Sequence, residues 1–446
     1  MHAERSVGLV GALAVVLLCA SATAQCTAPA SWFPHDQTPM PSTADPGSDN
    51  CRFHQWSWQT FLWLTQKVGG DLRFISQMYS AEEPFSLEKF TQHLPTWSDR
   101  IKRRLVLRPR DRKPTDIRGN PAVNQAGDNG ILIDQNHHAV YYAIDVNEKY
   151  YDFMVNRNYT DPAKLEAASS LDKFPVGTLE IKSSWQIVND GDDTSGFYTT
   201  QAVLQPLQAE HGKVVVKPHD DLSSAPLTTV ALVGLHVAGV VTGHPEFIWA
   251  TFELHNNSPL LKPGTPADAV VSGSSTRFYM ANTKAGDCNK PNDGKVTIID
   301  QAKQTLDPVT QVVRANAWGG GTDTTLVQEL NKDVTARLAI DGDIATHYRL
   351  IGSLWVKDGA LQPNQIPGLP DSQAGSIRLA NTTMETFRQS VGNCFSCHNT
   401  KPFAYNDVSL PALNLNLSHT LIQSYVNNKQ LLKRKGQPRV PRAPTK

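Results

Sequence analysis

Alternation of apolar and polar residues predicts a chain built mainly of β-strands. Six segments are rich in β-branched and aromatic residues and are bounded by turn residues, as strands of an antiparallel sheet are. The predicted strands are residues 139–146, 177–188, 197–204, 227–242, 247–254 and 348–356. Short helices are predicted at residues 162–170 and 325–338. The fold class is therefore α+β, with a large antiparallel sheet or sandwich that carries helices.

An aromatic segment precedes the predicted strands. Between residues 51 and 68, Trp56, Trp63 and Leu64 recur at the spacing of one helix face. The simpler interpretation is a core helix, since large aromatic side chains contribute much of a protein core. The alternative is a wall that faces a cofactor or a substrate.

The first residues of the chain have the composition of an export signal. Arg5 is followed by an apolar run at residues 7–19, and Ala22, Thr23 and Ala24 form a small-residue cleavage site. We therefore interpret residues 1–24 as a signal peptide and expect a periplasmic or secreted bacterial protein. No later stretch approaches the roughly 20 apolar residues that span a membrane, so no integral membrane segment is predicted.

Charge and length limit the partners and the domain organisation. The chain has 42 Lys and Arg against 42 Asp and Glu in 446 residues. This balance provides no net electrostatic field that would attract nucleic acid. The length exceeds what a single hydrophobic core usually serves. A Pro- and Gly-rich stretch at residues 362–375 is the predicted boundary between a large α+β domain, residues 25–375, and a small helical segment, residues 376–446.

The C-terminal segment is predicted to be helical and to end in a basic tail. Thr382 and Glu385 have the spacing of a capping box, which predicts a helix through Phe387. Ser418 is predicted to cap a final helix. The apolar stripe of that helix comprises Leu421, Ile422, Tyr425 and Val426. Residues 429–446 hold seven Lys or Arg and no acid, which favours a solvated end over a tail that docks on an acidic partner.

One pentapeptide, Cys394-Phe395-Ser396-Cys397-His398, has the sequence of a cofactor site. Cys-x-x-Cys-His is the attachment signature of a covalently bound haem. Two cysteines three positions apart lie on one side of a helical turn, so both can bond the vinyl groups of one porphyrin. The adjacent histidine then supplies a nitrogen to the iron. A redox dithiol or half of a zinc site is the alternative, but no second pair of Cys or His lies nearby.

The pentapeptide resembles the attachment site of c-type cytochromes. Three further segments, 177–182 (GTLEIK), 249–253 (WATFE) and 381–386 (NTTMET), look like segments of large, secreted, single-haem bacterial proteins of the cytochrome c family. The resemblance implies one covalent haem c, held by Cys394 and Cys397 with His398 on the iron. It implies no particular substrate.

The second axial ligand of the iron decides the functional class. No methionine follows His398, and Met384 precedes the motif on the predicted helix, where we expect it to pack beside the ring. His419 is the predicted second ligand, so the predicted metal ligands are His398 and His419. The alternatives are a histidine of the large domain, with His236 considered first, and an open site.

His236 belongs to a predicted hairpin whose turn contains Gly243, His244 and Pro245. His236 shares the apolar face of the first strand. It is therefore either a core histidine bonded to a backbone carbonyl or a residue on the far side of the haem. We interpret Glu253 on the return strand as a structural partner across strands; orienting a histidine or donating a proton is the alternative.

Two classes of function follow from these features. The first is an exported haem c protein that takes part in electron transfer with a redox partner protein. The second is a haem-dependent oxidoreductase, peroxidase-like or oxidising a small-molecule substrate, with an open or displaceable sixth site. The size of the large domain favours a role beyond simple electron shuttling. The sequence, however, contains no recognisable acid–base residues for the far side of the haem.

Three cysteines lie outside the motif and the predicted signal peptide. Cys26 and Cys51 are predicted to form a disulfide, because it would close a Pro-rich N-terminal segment in an oxidising compartment. Cys288 is the alternative partner of either one. One thiol then remains.

Overall fold

A computed structural model describes residues 25–80, 105–107, 126–127, 130–216, 226–292, 294–369, 371–390, 393–405 and 407–436. The predicted signal peptide and residues 437–446 of the basic tail lie outside these ranges, so both stay predictions. Among the described residues, no helix combines the length and the apolar character that a membrane span requires.

Most strands of the described chain belong to one sheet. In chain order the strands are β1 (Lys67–Val68), β2 (Asp71–Leu72), β3 (Tyr79–Ser80), β4 (Leu105–Leu107), β5 (Tyr141–Val146), β6 (Leu179–Ile187), β7 (Thr199–Leu204), β8 (Leu207–Glu210), β9 (Lys213–Val216), β10 (Leu227–Val241), β11 (His244–Leu254), β12 (Thr297–Asp300), β13 (Thr305–Asp307), β14 (Tyr348–Val356), β15 (Gln373–Gly375), β16 (Phe403–Tyr405) and β17 (Val408–Leu410). The main sheet has the order β15-β14-β11-β10-β6-β5-β3, and β7 pairs with both β10 and β4. Its pairings are antiparallel except that of β4 with β7. The predicted α+β class with an antiparallel sheet is confirmed.

The helices are few and most of them are short. They are α1 (Asn50–Thr65), α2 (Arg73–Gln77), α3 (Glu148–Asn156), α4 (Pro162–Glu166), α5 (Thr324–Ile340), α6 (Cys394–Cys397) and α7 (His419–Gly436). The predicted helices at residues 162–170 and 325–338 are present as α4 and α5. Helix α3 was not predicted; the side chain of Asn147 caps it by accepting from the Tyr150 amide at 3.2 Å.

Helix α1 is a core helix packed on one face of the main sheet, here called the α1 face. The Phe61 ring stacks on Phe252 of β11 at a centroid distance of 4.4 Å. Trp58 is fully buried and donates from Nε1 to Asn331 of α5 at 2.9 Å. Since Phe252 and Trp249 are three positions apart on β11, their side chains point to opposite faces. The aromatic helix is therefore separated by the sheet from Trp249 and does not form a wall beside Cys394.

The opposite face of the sheet is covered by residues 394–426, and we call it the C-terminal face. Trp249 of β11 belongs to the same buried apolar cluster as Phe395 and Leu421. Ser418 Oγ accepts from the Leu421 amide at 3.2 Å at the start of α7. The predicted cap of the final helix and its apolar stripe are confirmed, because all four residues of the stripe are buried.

The helix predicted from the capping box is absent. Residues 381–390 form turns, and Thr382 Oγ1 donates to the Glu253 carboxylate at 2.7 Å rather than capping its own backbone. Glu385 accepts instead from the amide of Asn381, the residue before the predicted cap, at 2.8 Å, while the Thr382 amide also donates to Glu253. Just before this segment, β15 pairs with β14 at the edge of the main sheet. The division into domains at residue 375 stays a prediction.

The predicted hairpin forms between β10 and β11, but its turn is shorter than expected. Val241 pairs with His244, so the turn consists of Thr242 and Gly243. Gly243 has a φ of 83°, a left-handed conformation that glycine adopts without strain. His244 and Pro245, predicted in the turn, lie in β11.

The predicted disulfide between Cys26 and Cys51 is confirmed. It ties the N-terminal segment to the start of α1. Cys288 is a buried free thiol, and burial raises its pKa to about 11. Cys288 is therefore the unpaired thiol that the sequence analysis could not assign.

Candidate functional site

The Cys-x-x-Cys turn is held by an apolar anchor, with Cys397 exposed and Cys394 packed against the edge of the buried cluster. The side chain of Asn393 caps α6 by accepting from the Phe395 amide at 3.1 Å. Phe395 is fully buried in the cluster of the C-terminal face. Cys394 is half-buried and Cys397 is exposed. The predicted attachment residues therefore lie on one turn whose sulfurs a reagent or a cofactor can reach.

His398 is positioned by contacts with Leu417 and Trp249. Its Nδ1 donates to the Leu417 carbonyl at 2.8 Å. A carbonyl only accepts, so the neutral imidazole carries its proton on Nδ1 and its lone pair on Nε2. The ring lies 4.2 Å from the Trp249 ring, centroid to centroid, with an interplanar angle of 39°. This is the tautomer in which a histidine ligates a metal through Nε2.

His419 lies beside His398. The two rings are stacked, with a centroid distance of 3.9 Å and an interplanar angle of 23°. His419 Nε2 donates to the Cys397 carbonyl at 3.1 Å. Two histidines that bind one iron from opposite sides must leave room for the metal between them, and rings stacked with centroids 3.9 Å apart do not. The prediction that His419 is the second ligand is untested, and it requires one ring to leave this stack.

A row of polar side chains on β6 extends along the C-terminal face. Alternate residues of this strand point to that face. They are Glu180, Lys182, Ser184 and Gln186. All four are buried. Sequence reasoning missed this row because alternating polar residues in a strand normally indicate a solvent-exposed face.

Two members of this row contact the segments that cover the sheet. Glu180 accepts from Ser418 Oγ at 2.6 Å and from Thr420 Oγ1 at 2.8 Å. Ser184 and Thr383 join their hydroxyls at 2.7 Å. The row therefore holds Thr383, Ser418 and Thr420 on the sheet through polar contacts.

His236 and Glu385 form an ion pair over the centre of the C-terminal face. His236 Nε2 donates to Glu385 at 2.9 Å, with 24% and 32% of the two side chains exposed. The expected core histidine bonded to a backbone carbonyl is wrong, since the partner is a carboxylate. On β10, His236 is two residues from Ala238, whose cross-strand partner is Trp249. The pair therefore shares the sheet face that His398 contacts through Trp249.

We expect Glu385→Gln to cost about 1–2 kcal/mol of unfolding free energy at neutral pH, a value reduced for partial exposure. Burial would raise the pKa of Glu385, but the charge and hydrogen bond of His236 together with Lys182 lower it from 4.5 to about 2. A carboxylate with a depressed folded-state pKa stabilises the fold above its unfolded pKa and loses that effect as pH falls. The cost of the substitution should therefore shrink below pH 4.5.

Urea unfolding of both proteins from pH 7 towards pH 3 measures this cost. Glu210→Gln, at a carboxylate that is 53% exposed, is the matched control for loss of charge. A cost of Glu385→Gln that stays constant over this range would contradict the role of the ion pair.

Glu253 has a structural role, but its partners Arg314 and Thr382 lie outside the strands that pair with β11, so the expected cross-strand partner is wrong. It is fully buried and forms an ion pair with Arg314, which is 4% exposed. It also accepts from the Thr382 amide at 2.8 Å. Burial lowers the pKa of the Arg314 guanidinium. No histidine is bonded to Glu253 within the described residues.

Two other predicted residues are placed away from the motif. Met384 was expected beside the haem, but it is buried with Tyr142 and Val233 in a cluster separate from that of Phe395. The prediction is therefore wrong for Met384. His244 is buried and bonds Glu246 at 2.9 Å.

No family model, no curated protein and no solved structure matches this chain. Within the residues that the structure describes, no three or more His, Cys, Asp or Glu side chains are grouped to hold a metal ion. The expected membership of the c-type cytochromes, and of the large secreted single-haem proteins, is therefore wrong. The three segments that suggested the second resemblance lie close together in the fold. Thr382 bonds Glu253. Ala238 of β10 pairs with Trp249 on one side and with Glu180 on the other.

Proposed function

We propose that this chain carries one covalently attached haem and takes part in electron transfer. The observation that carries the proposal is the single turn that holds Cys394 and Cys397, followed by a histidine whose Nε2 has the lone pair. The thiols would hold the haem through thioether bonds and His398 would bind its iron. A bound haem supplies a one-electron redox centre.

The chemistry of the donor set supports this cofactor. A porphyrin brings four nitrogens of its own, so the chain needs to supply a single axial nitrogen from this side. The absence of a three-residue metal group among the described residues therefore does not argue against a haem. Trp249 and Phe395 offer apolar surface next to the turn, where an apolar shell excludes water and adjusts the redox potential.

Export belongs to the same proposal. The composition of residues 1–24 favours a signal peptide. The disulfide between Cys26 and Cys51 supports an oxidising compartment, the periplasm or the exterior. The partner would be a redox protein that meets the exposed side of the Cys397 turn.

The proposal is tested on the exported wild-type protein, produced in a cell that attaches haem to exported proteins. We expect its pigment to remain with the polypeptide after acid–acetone extraction, and intact mass to show one added haem. Colourless protein, or pigment that extracts cleanly, would refute the covalent cofactor.

A haem-dependent oxidoreductase with an open or displaceable sixth site is the second candidate. It is favoured by the stack of His419 on His398, because ring centroids 3.9 Å apart leave no room for an iron between the two side chains. The pair of His236 and Glu385 on the same sheet face would supply an acid–base group. A high-spin ferric spectrum of the pigmented protein would favour this candidate, and a low-spin spectrum would favour the electron carrier.

A further inference from the structure

A cavity of about 230 Å³ lies at the end of the β6 polar row that is farthest from Glu180. It is open between the end of β6, the loop that follows it and the loop before Phe278. Its polar and aromatic lining includes Asn136, Gln186, Asp192, Asp193, Phe197 and Arg277. Drug-sized ligands occupy pockets of roughly 300–1,000 Å³, so this volume suits a smaller molecule.

The Arg277 guanidinium is held in a defined position in this cavity. It lies over the face of the Phe197 ring, 3.7 Å from the ring centroid. Arg277 Nη1 donates to Gln186 Oε1 at 2.9 Å. The Gln186 amide is oriented in turn by Asp134, which is fully buried and accepts from Gln186 Nε2 at 2.6 Å. Stacking and a fixed hydrogen bond together preorganise the guanidinium.

Arg277 forms no close ion pair within the described part of the chain, although the charges of Asp134, Asp192 and Asp193 act on it from a longer distance. Its Nε is buried and has no hydrogen-bond partner there. Burial lowers the pKa of Arg277, as expected when a cation is taken out of water. Arg277 is half-buried and has no carboxylate of the described residues within bonding distance, so its guanidinium is available for a charge-assisted pair with an anionic ligand.

Two carboxylates at the rim of the cavity are engaged by their own loop. Asp192 accepts from the Asn189 amide at 2.9 Å. Asp193 accepts from the Ser195 amide at 2.9 Å. Both side chains are exposed and neither pairs with Arg277. The cavity therefore has a fixed cation inside and two fixed anions at its mouth.

We propose that this cavity binds a small zwitterionic carboxylate, an α-amino acid. The ligand carboxylate bonds the Arg277 guanidinium, and its ammonium group faces Asp192 and Asp193. A simple anion would satisfy Arg277 but would be repelled by the rim, whereas a zwitterion matches both charges. The site is independent of the haem proposed at Cys394, so either proposal can fail alone.

The test is calorimetric titration of the full exported chain with L-alanine and, separately, with propionate, which lacks the ammonium group. Wild type is expected to bind L-alanine more tightly than propionate. Arg277→Lys should weaken L-alanine binding about tenfold or more, because it keeps the charge but loses the planar fork. Asp193→Asn, at an exposed position, should weaken L-alanine binding and leave propionate binding unchanged or tighter.

Arg52→Ala, at an exposed arginine on α1, is the matched control and should bind L-alanine like wild type. Wild type that binds no L-alanine at millimolar concentration would overturn the proposal. Equal effects of Asp193→Asn on both ligands would overturn the assignment of a zwitterion. If Arg277→Lys does not fold, as judged by circular dichroism, the exposed Asp193→Asn variant still gives a decisive result.

Discussion

Replacing both Cys394 and Cys397 with serine is expected to abolish covalently bound haem and to leave the fold intact. Serine cannot form the thioether bonds that hold the porphyrin. The buried anchor of this turn is Phe395, whereas Cys394 is half-buried and Cys397 is exposed. The substitutions therefore remove little packing. Haem staining on denaturing gels and intact mass measure the pigment, and circular dichroism checks the fold.

Cys288→Ser is the matched control, since Cys288 is a free thiol outside the motif. It should keep all of its covalent pigment. Each single variant, Cys394→Ser or Cys397→Ser, should keep one thioether and show an altered absorption spectrum. A double variant that retains pigment after acid–acetone extraction would contradict attachment at this turn, as would loss of pigment in Cys288→Ser.

Arg314→Ala is expected to lower the free energy of unfolding by about 3–5 kcal/mol, the cost of breaking a buried ion pair from one side. Arg314 is 4% exposed and Glu253 is fully buried. Without the guanidinium, the Glu253 carboxylate stays buried with only the bonds from Thr382, at 2.8 Å to the amide and 2.7 Å to the hydroxyl. Urea unfolding followed by tryptophan fluorescence measures the loss.

Arg337→Ala provides the comparison on the protein surface. Arg337 is 35% exposed and pairs with Asp333 one helical turn away at 3.2 Å. An exposed pair of this kind is worth up to about 1 kcal/mol. Losses of equal size in Arg314→Ala and Arg337→Ala would show that the buried pair has no special cost. The double variant Arg314→Met with Glu253→Gln should recover part of the loss, because no uncompensated charge remains.

Features that depend on near neighbours in the chain were predictable. The strand at residues 348–356 has the predicted bounds, because alternation of side chains and flanking turns are local properties. The cap and stripe of α7 were predicted for the same reason: Ser418 and Leu421 lie within one helical turn. The disulfide between Cys26 and Cys51 also closes a short segment.

The predictions that failed depended on partners distant in sequence. Thr382 and Glu385 have the spacing of a capping box, but Glu253, 129 residues before Thr382, takes the threonine hydroxyl. The buried polar row of β6 was not predicted, because Thr383, Ser418 and Thr420, which contact it, are distant in the chain. In both cases a tertiary contact outweighed a local preference.

The sequence alone determined that Cys394 and Cys397 share one turn and are followed at once by His398, since three-residue spacing sets this in any helix. It also determined the six predicted strands, whose period of two is a property of the extended backbone. Only the tertiary structure decided that His419 stacks on His398, that His236 pairs with Glu385 and that Arg277 lies in a cavity without a carboxylate partner among the described residues. These arrangements join side chains that are distant in the chain, and their positions follow from how the sheet and its covering segments pack.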